Sequence, residues 1–220
     1  LLKEKQAGNS LLIYKHFKLL NMSTKTQTLN GPQDKLSDKA NFGSKTSKSG
    51  KESLKKIFEE LLQDTYNAEK QLLKALPEAA KAAYNEYLQD AFEHHFEQTK
   101  RQVERLEKVF DRLRIEKGNE TCEAMEGLVK EVKEIIDEHD KSIIRDVALI
   151  IASQKVEHYE IAAYGSLVEL ADVLGLNNTA DLFERTLREE KETDQRLSEI
   201  AQYVNDEAYE ECAAELEYKS

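Results

Sequence analysis

Glycine and proline are scarce in this chain of 220 residues, at 8 and 2 copies. With 34% charged residues, that scarcity speaks against a turn-rich, sheet-dominated fold and for a helical one. Cysteine is equally sparse. Cys122 and Cys212 lie far apart in sequence, so they imply neither a disulfide framework nor a cysteine-held metal, and a reducing cytoplasm is the expected compartment. No uninterrupted apolar run approaches the ~20 residues that a membrane-spanning helix needs. Basic residues are outnumbered 32 to 43, for a formal net charge of -11 at pH 7. This disfavours nucleic acid or an anionic membrane as an obligate partner and is compatible with drawing cations toward acidic openings.

What the chain does have is helical periodicity with one breach. From Val147 the apolar positions run through Ile150 and Ile151, then resume at Ile161, Tyr164, Val168 and Ala171, the three-and-four rhythm of a buried helix face. Gln154 and Glu157 fall in the gap. An ionised carboxylate inside a bundle is strongly unfavourable unless paired, protonated or metal-bound, so this breach asks for a cation.

In chain order, residues 1–52 are rich in Lys, Ser, Thr, Asn and Gln, with little sustained periodicity, and are expected to be disordered. Their short apolar patch around Leu11 to Leu20 is too brief and poorly flanked for a secretory signal. Met22 is the expected translation start, which would make residues 1–21 a gene-model artefact. One folded domain is expected over residues 53–207, followed by an acidic, frayed tail over 208–220. The first helix starts at Ser53, with a stripe of Leu54, Phe58, Leu61, Thr65, Ala68 and Leu72, and passes Pro77 to end near Tyr84. The second carries Leu88, Phe92, Phe96, Thr99, Val103, Leu106 and Phe110, with a stop at Gly118-Asn119. Residues 119–140 hold a helical stripe of their own, from Met125 to Ile136. A third long helix spans 143–174 and stops at Gly175. The fourth continues through Leu187, Glu190, Asp194, Leu197, Ala201 and Val204. Short links within each pair of long helices and a long helical crossover between the second and third describe an all-α, ferritin-like antiparallel four-helix bundle.

Each long helix also brings a polar donor to one level. The first offers Glu69 at the edge of its stripe, the second His95 with Gln98 one turn on, the third Glu157 and Glu160, and the fourth Glu190 and Asp194. Inward carboxylates and imidazole are what a pair of iron or manganese ions needs, because bridging carboxylates neutralise divalent charge. In isolation, Glu157 and Glu160 could equally be salt-bridged to bases of a neighbouring helix, and His95 alone would be a satisfied core histidine. Pairing four carboxylates that way needs several buried bases, and the stripes contain none. Asp64 and His158 are expected as supporting or surface groups, with Tyr66, Tyr159 and Tyr164 as hydrogen-bond partners that hold carboxylates in place.

Residues 54–207 resemble the stress-associated ferritin-like proteins of bacteria called the YciF and YciE family, a domain of unknown function. The resemblance is carried by residues 64–71, by His95, Thr99 and Arg105-Leu106, and by residues 122–128. It is densest in residues 145–150 and 154–165, and Glu190-Lys191 with Asp194 complete it. It implies a di-metal carboxylate site in an antiparallel bundle, a homodimer and a link to bacterial stress responses, without implying a known reaction. It also raises Glu69 to a ligand. Two positions depart from the general di-metal pattern of a Glu and a His on the second and fourth helices: Gln98 is a neutral donor, and Asp194 stands where a His is expected. The expected function is therefore a protein with two Fe or Mn ions that reacts with O2 or peroxide. The alternative is a non-catalytic stress or interaction module with a structural metal site, and cage-type iron storage ranks below both.

Overall fold

The computed structural model describes residues 48–219, with side chains described for 50–214. The segment expected to be disordered, including Met22, lies outside the described residues as far as residue 47. Residues 48–52 already belong to the first helix. Five helices follow in order: α1 (Lys48–Ala82), α2 (Glu86–Leu113), α3 (Glu123–Glu138), α4 (Ile143–Leu174) and α5 (Asn177–Lys219). There is no strand among the described residues, and none of their helices is long and apolar enough to cross a membrane.

The helix ends follow from local chemistry. α1 carries Pro77 inside it and continues through the strong helix formers Ala79, Ala80 and Ala82. Asn85 then caps α2, its side chain accepting from the amides of Tyr87 (2.9 Å) and Leu88 (3.3 Å). α2 ends at Arg114, which adopts the left-handed conformation at φ 55°. The thiol of Cys122 and the hydroxyl of Ser142 cap α3 and α4. Gly175, at φ 78°, ends α4 in a conformation that costs a glycine nothing. The amide of Leu176 closes that turn on the Ala171 carbonyl at 2.8 Å.

α1 packs on α2 and α4 on α5; α1 also meets α4, and α2 meets α5. The crossover helix α3 lies against α1 and α4. With short links at 83–85 and 175–176, this is the ferritin-like bundle. The start of α4 ties one end of it together. Asp146 accepts from the amides of Tyr84 (2.8 Å) and Asn85 (2.6 Å). Arg145 donates to the carbonyls of Ala82 and, at 2.9 Å, His139.

Two expectations change. The acidic segment 208–220 continues α5 to Lys219, and Ala208 is buried. On α4 the buried face is Leu149, Ile150, Val156, Tyr164, Leu167 and Ala171, whereas Ile151 is 53% exposed. Apolar residues surround this helix, so periodicity alone leaves its phase open. The real phase puts Glu157 and Glu160 on the buried face and leaves Gln154 at its margin, bonded to Ser198 at 2.9 Å.

The core is divided in two. One apolar cluster joins Leu72, Leu76, Phe92, Met125, Ile150 and Leu197 under the crossover. The other joins Phe58, Leu62, Leu106, Phe110, Leu167 and Phe183. Between them along the bundle lie buried polar residues contributed by all four long helices.

Candidate metal centre

Within this polar layer three of the four long helices converge on one point, and α1 places Glu69 beside it. α2 supplies His95, α4 Glu157 and Glu160, and α5 Glu190, all buried; one ligand atom from each lies within 4.8 Å of every other. His95 Nδ1 is 3.1 Å from Glu157 Oε1, and its Nε2 is 3.5 Å from Glu190 Oε2 and 3.7 Å from Glu160 Oε2. Glu69 of α1, fully buried, is electrostatically linked to Glu190, His95 and Glu157. Spacing explains the convergence: Glu157 and Glu160 are three apart on α4 and therefore share a face.

The hydrogen bonding of these groups is incomplete. Tyr164 donates to Glu69 Oε1 and Gln102 to Glu190 Oε1. Six atoms are buried without a hydrogen-bond partner: Glu69 Oε2, His95 Nε2, Glu157 Oε2, both oxygens of Glu160, and Glu190 Oε2. A buried polar atom left unpaired costs about 1–3 kcal/mol, and more if charged. Six in one layer is a donor set that fits a metal cation, an acceptor of electron pairs.

The acid–base state without a cation follows from burial and like charge. Burial first, and then the Glu190 charge, push the Glu69 carboxyl up to about 8. Burial likewise raises Glu190 to about 7. Glu160 is held well above the carboxylate range by burial and by the charges of Glu190 and Glu69. Burial works against a charged His95, but the carboxylate of Glu157 foremost overcomes it and raises the imidazole well above its ordinary value. Without a cation, burial and like charge therefore favour protons on Glu69, Glu160 and Glu190 and a charged His95. Four carboxylates and one neutral imidazole match the charge of two divalent ions, and loading would release those protons.

The other candidate residues sit elsewhere. Gln98 is buried but turned to α5, where Thr193 Oγ1 lies 3.3 Å from its Oε1. Asp194 is a correction: its side chain is 24% exposed and engages His158 Nε2 and Gln154 Nε2, each at 3.5 Å, outside the donor group. The inward face of α5 runs Phe183, Thr186, Glu190, Thr193, Leu197, Ile200 and Val204. It passes through Thr193 rather than Asp194 because a threonine can be buried with its hydroxyl on the preceding turn, here 3.1 Å from the Glu189 carbonyl.

The absence of buried bases also needs correction. Arg105 is buried, but it grips Glu189 with two bonds of 2.6 and 2.7 Å and donates to Thr186 at 2.8 Å. Arg145 is committed to carbonyls at the bundle end. Neither neutralises the cluster. Burial alone would raise Glu189, and Arg105 instead holds it below its ordinary value.

Gln102 escaped the sequence reading; its place one turn beyond Gln98, on the same stripe, was the available signal. Of the anticipated tyrosines, Tyr164 holds Glu69, whereas Tyr66 holds Glu107 at 2.8 Å. Tyr159 donates to Asp64 at 2.6 Å. The Cys122 thiol lies 3.2 Å from that carboxylate and 3.1 Å from the Tyr159 hydroxyl. Asn67 accepts from the Cys122 amide at 2.9 Å, and Gln71 donates to its carbonyl at 3.0 Å. The polar positions of residues 64–71 thus anchor the crossover onto α1 beside the donor layer.

Comparison with known proteins adds a family context. A family model described as a domain of unknown function, DUF892, matches residues 53–210. Protein YciF of Escherichia coli (strain K12) is 47% identical over 152 residues, covering 68% of this chain and 90% of that protein. The crystal structure of the E. coli stress protein YciF matches with a TM-score of 0.68 at 45% identity, over 70% of this chain and 97% of that one. The structure of YcfI from Rhodopseudomonas palustris matches with a TM-score of 0.64 at 36% identity, over 66% of this chain and 92% of that one.

Proposed function

Because the chain belongs to the DUF892 family, with a stress protein, YciF, among its relatives, we propose that it is a di-metal carboxylate protein of the bacterial stress response. In this reading Glu69, His95, Glu157, Glu160 and Glu190 hold two Fe or Mn ions, and the centre reacts with O2 or peroxide. The observation that carries it is the set of six unpaired buried donor atoms in a layer built from four helices.

Two reduced ions supply two electrons, enough with two protons to carry a peroxide to two waters. The protein's part is placement. Tyr164 keeps its proton toward Glu69 Oε1, and Gln102 fixes Glu190 through Oε1, so each carboxylate has a set orientation and a free oxygen. The flanking apolar clusters keep bulk water from the layer. A homodimer is part of the reading, as the family resemblance implies. A reducing cytoplasm fits two unpaired cysteines.

The test is metal analysis of aerobically purified protein, then O2 or peroxide consumption after ferrous loading. About two ions per chain with turnover is expected. The same content without turnover would favour a structural metal site in a non-catalytic module. No metal in the natural protein, with no difference from a Glu157→Ala, Glu190→Ala variant, would refute the site.

A further inference from the structure

On the crossover side of the donor layer, the packing of α1, α2, α3 and α4 leaves a small cavity of about 20 Å³. That is room for one small molecule. Leu72, Leu76, Phe92, Val132 and Val156 form its apolar walls, and one end is closed by His95 and Glu157. Ser153 also touches it, but its hydroxyl donates to the Leu149 carbonyl at 2.8 Å. A water needs two to four polar partners to be well held. This cavity offers them only at the end where the metal donors stand.

Two of its residues, Ala75 and Val129, also line a groove of about 380 Å³ on the surface between α1 and α3. Both are partly exposed. They form the wall between groove and cavity, and both are small. A second groove meets the cavity behind Leu76 and Phe92, which are only 6% and 2% exposed and far bulkier. The easier way in is therefore past Ala75 and Val129. The groove outside is polar, with Gln71, Lys74, Thr121 and Glu126, and the path turns apolar only beyond this neck.

We propose that the seam between α1 and the crossover helix α3 is the entry route for dioxygen, and that the apolar cavity against His95 and Glu157 is its resting site. The inference rests on the metal-centre reading for what happens next, not for the cavity itself. A two-atom apolar molecule gives up no hydrogen bonds on entering these apolar walls. Hydrogen peroxide must give up most of its hydrogen bonds to enter and gains few in return. The route thus selects dioxygen over peroxide, and Val129 is its specificity-determining residue. It also gives the crossover helix a role, since Val129 and Val132 roof the path.

The closing experiment has two arms. In the first, methyl relaxation of the full-length metal-free protein is measured by NMR under dissolved dioxygen. The methyls of Leu72, Val132 and Val156 are expected to relax faster than those of Ile150 and Ile200, which are buried to a similar degree outside the cavity lining; equal rates would overturn the proposal. In the second, Val129→Phe is expected to abolish that enhancement and keep metal stoichiometry. It should slow oxidation of the ferrous-loaded protein by dioxygen about tenfold while leaving oxidation by peroxide unchanged. Equal slowing by both oxidants, or none with dioxygen, would refute the route. Should Val129→Phe fail to fold, Val129→Ala widens the neck and is expected to speed the dioxygen reaction alone; no change would count against the proposal. Relaxation enhancement in a protein that takes up no metal would support the gas site and refute the metal reading. Metal uptake without enhancement would refute the gas site alone.

Discussion

Raising the pH of the metal-free protein from 5 to 7 is expected to weaken its fold. Glu69 and Glu190 are wholly buried, with carboxyls pushed up to about 8 and about 7. Both lie above the ordinary carboxylate value they regain on unfolding. The folded state therefore binds more protons, and the stability contributed by the protonated carboxyls is complete below the unfolded value. It is lost as pH rises through the folded values. Each pH unit in that window costs about 1.4 kcal/mol per group. Over two units, Glu69 alone accounts for about 2–3 kcal/mol. For a domain of this size that is about 5–10 °C in Tm. The assay is urea unfolding of chelator-treated protein across pH 5 to 8, compared with a Glu69→Gln, Glu190→Gln variant. The natural protein should lose stability with rising pH, and the variant should lose much less. Loading with ferrous or manganous ions should reverse the trend, because binding displaces the same protons. Stability that is flat or rising with pH in the metal-free protein would refute the reasoning, since it would mean that the carboxylates are already neutralised by other means.

Further outcomes follow from single contacts. Tyr164→Phe removes the bond that orients Glu69 and should lower metal affinity by about 10–100-fold, read by calorimetric titration, at a stability cost of about 1 kcal/mol. Asp146→Ala strands the amides of Tyr84 and Asn85 and should cost about 1.5–3 kcal/mol in urea unfolding, with the α1–α2 turn showing the largest gain in hydrogen exchange. Burial raises the Cys122 thiol, whereas Cys212 is exposed, so a disulfide reagent at neutral pH should titrate Cys212 rapidly and Cys122 only on unfolding.

The fold was legible because its signals are long-range in sequence and chemically simple. Gly175, the periodic stripes and the short links fix four helices and their order, and α4 spans the residues expected of it. The family resemblance supported Glu69, which periodicity alone left at a stripe edge. Helix phase was the harder quantity. On α4 apolar residues occur all round, and Ile151 passed for core although it faces solvent. On α5 the expected stripe ran through Asp194, whereas the buried face passes through Thr186 and Thr193, whose hydroxyls lie close to carbonyls one turn back. Gln102 and Arg105 were missed for a related reason: an amide or guanidinium is buried only when a specific partner meets it, and those partners, Glu190 and Glu189, are more than eighty residues away.

The most direct measurement is an anomalous difference map at the iron or manganese absorption edge, from crystals of the full chain loaded with the reduced metal. Two peaks within the layer bounded by Glu69, His95, Glu157, Glu160 and Glu190, absent from the Glu157→Ala, Glu190→Ala variant, are the expected result. An empty layer, or metal instead at the exposed His158–Asp194 pair, would contradict the di-metal centre.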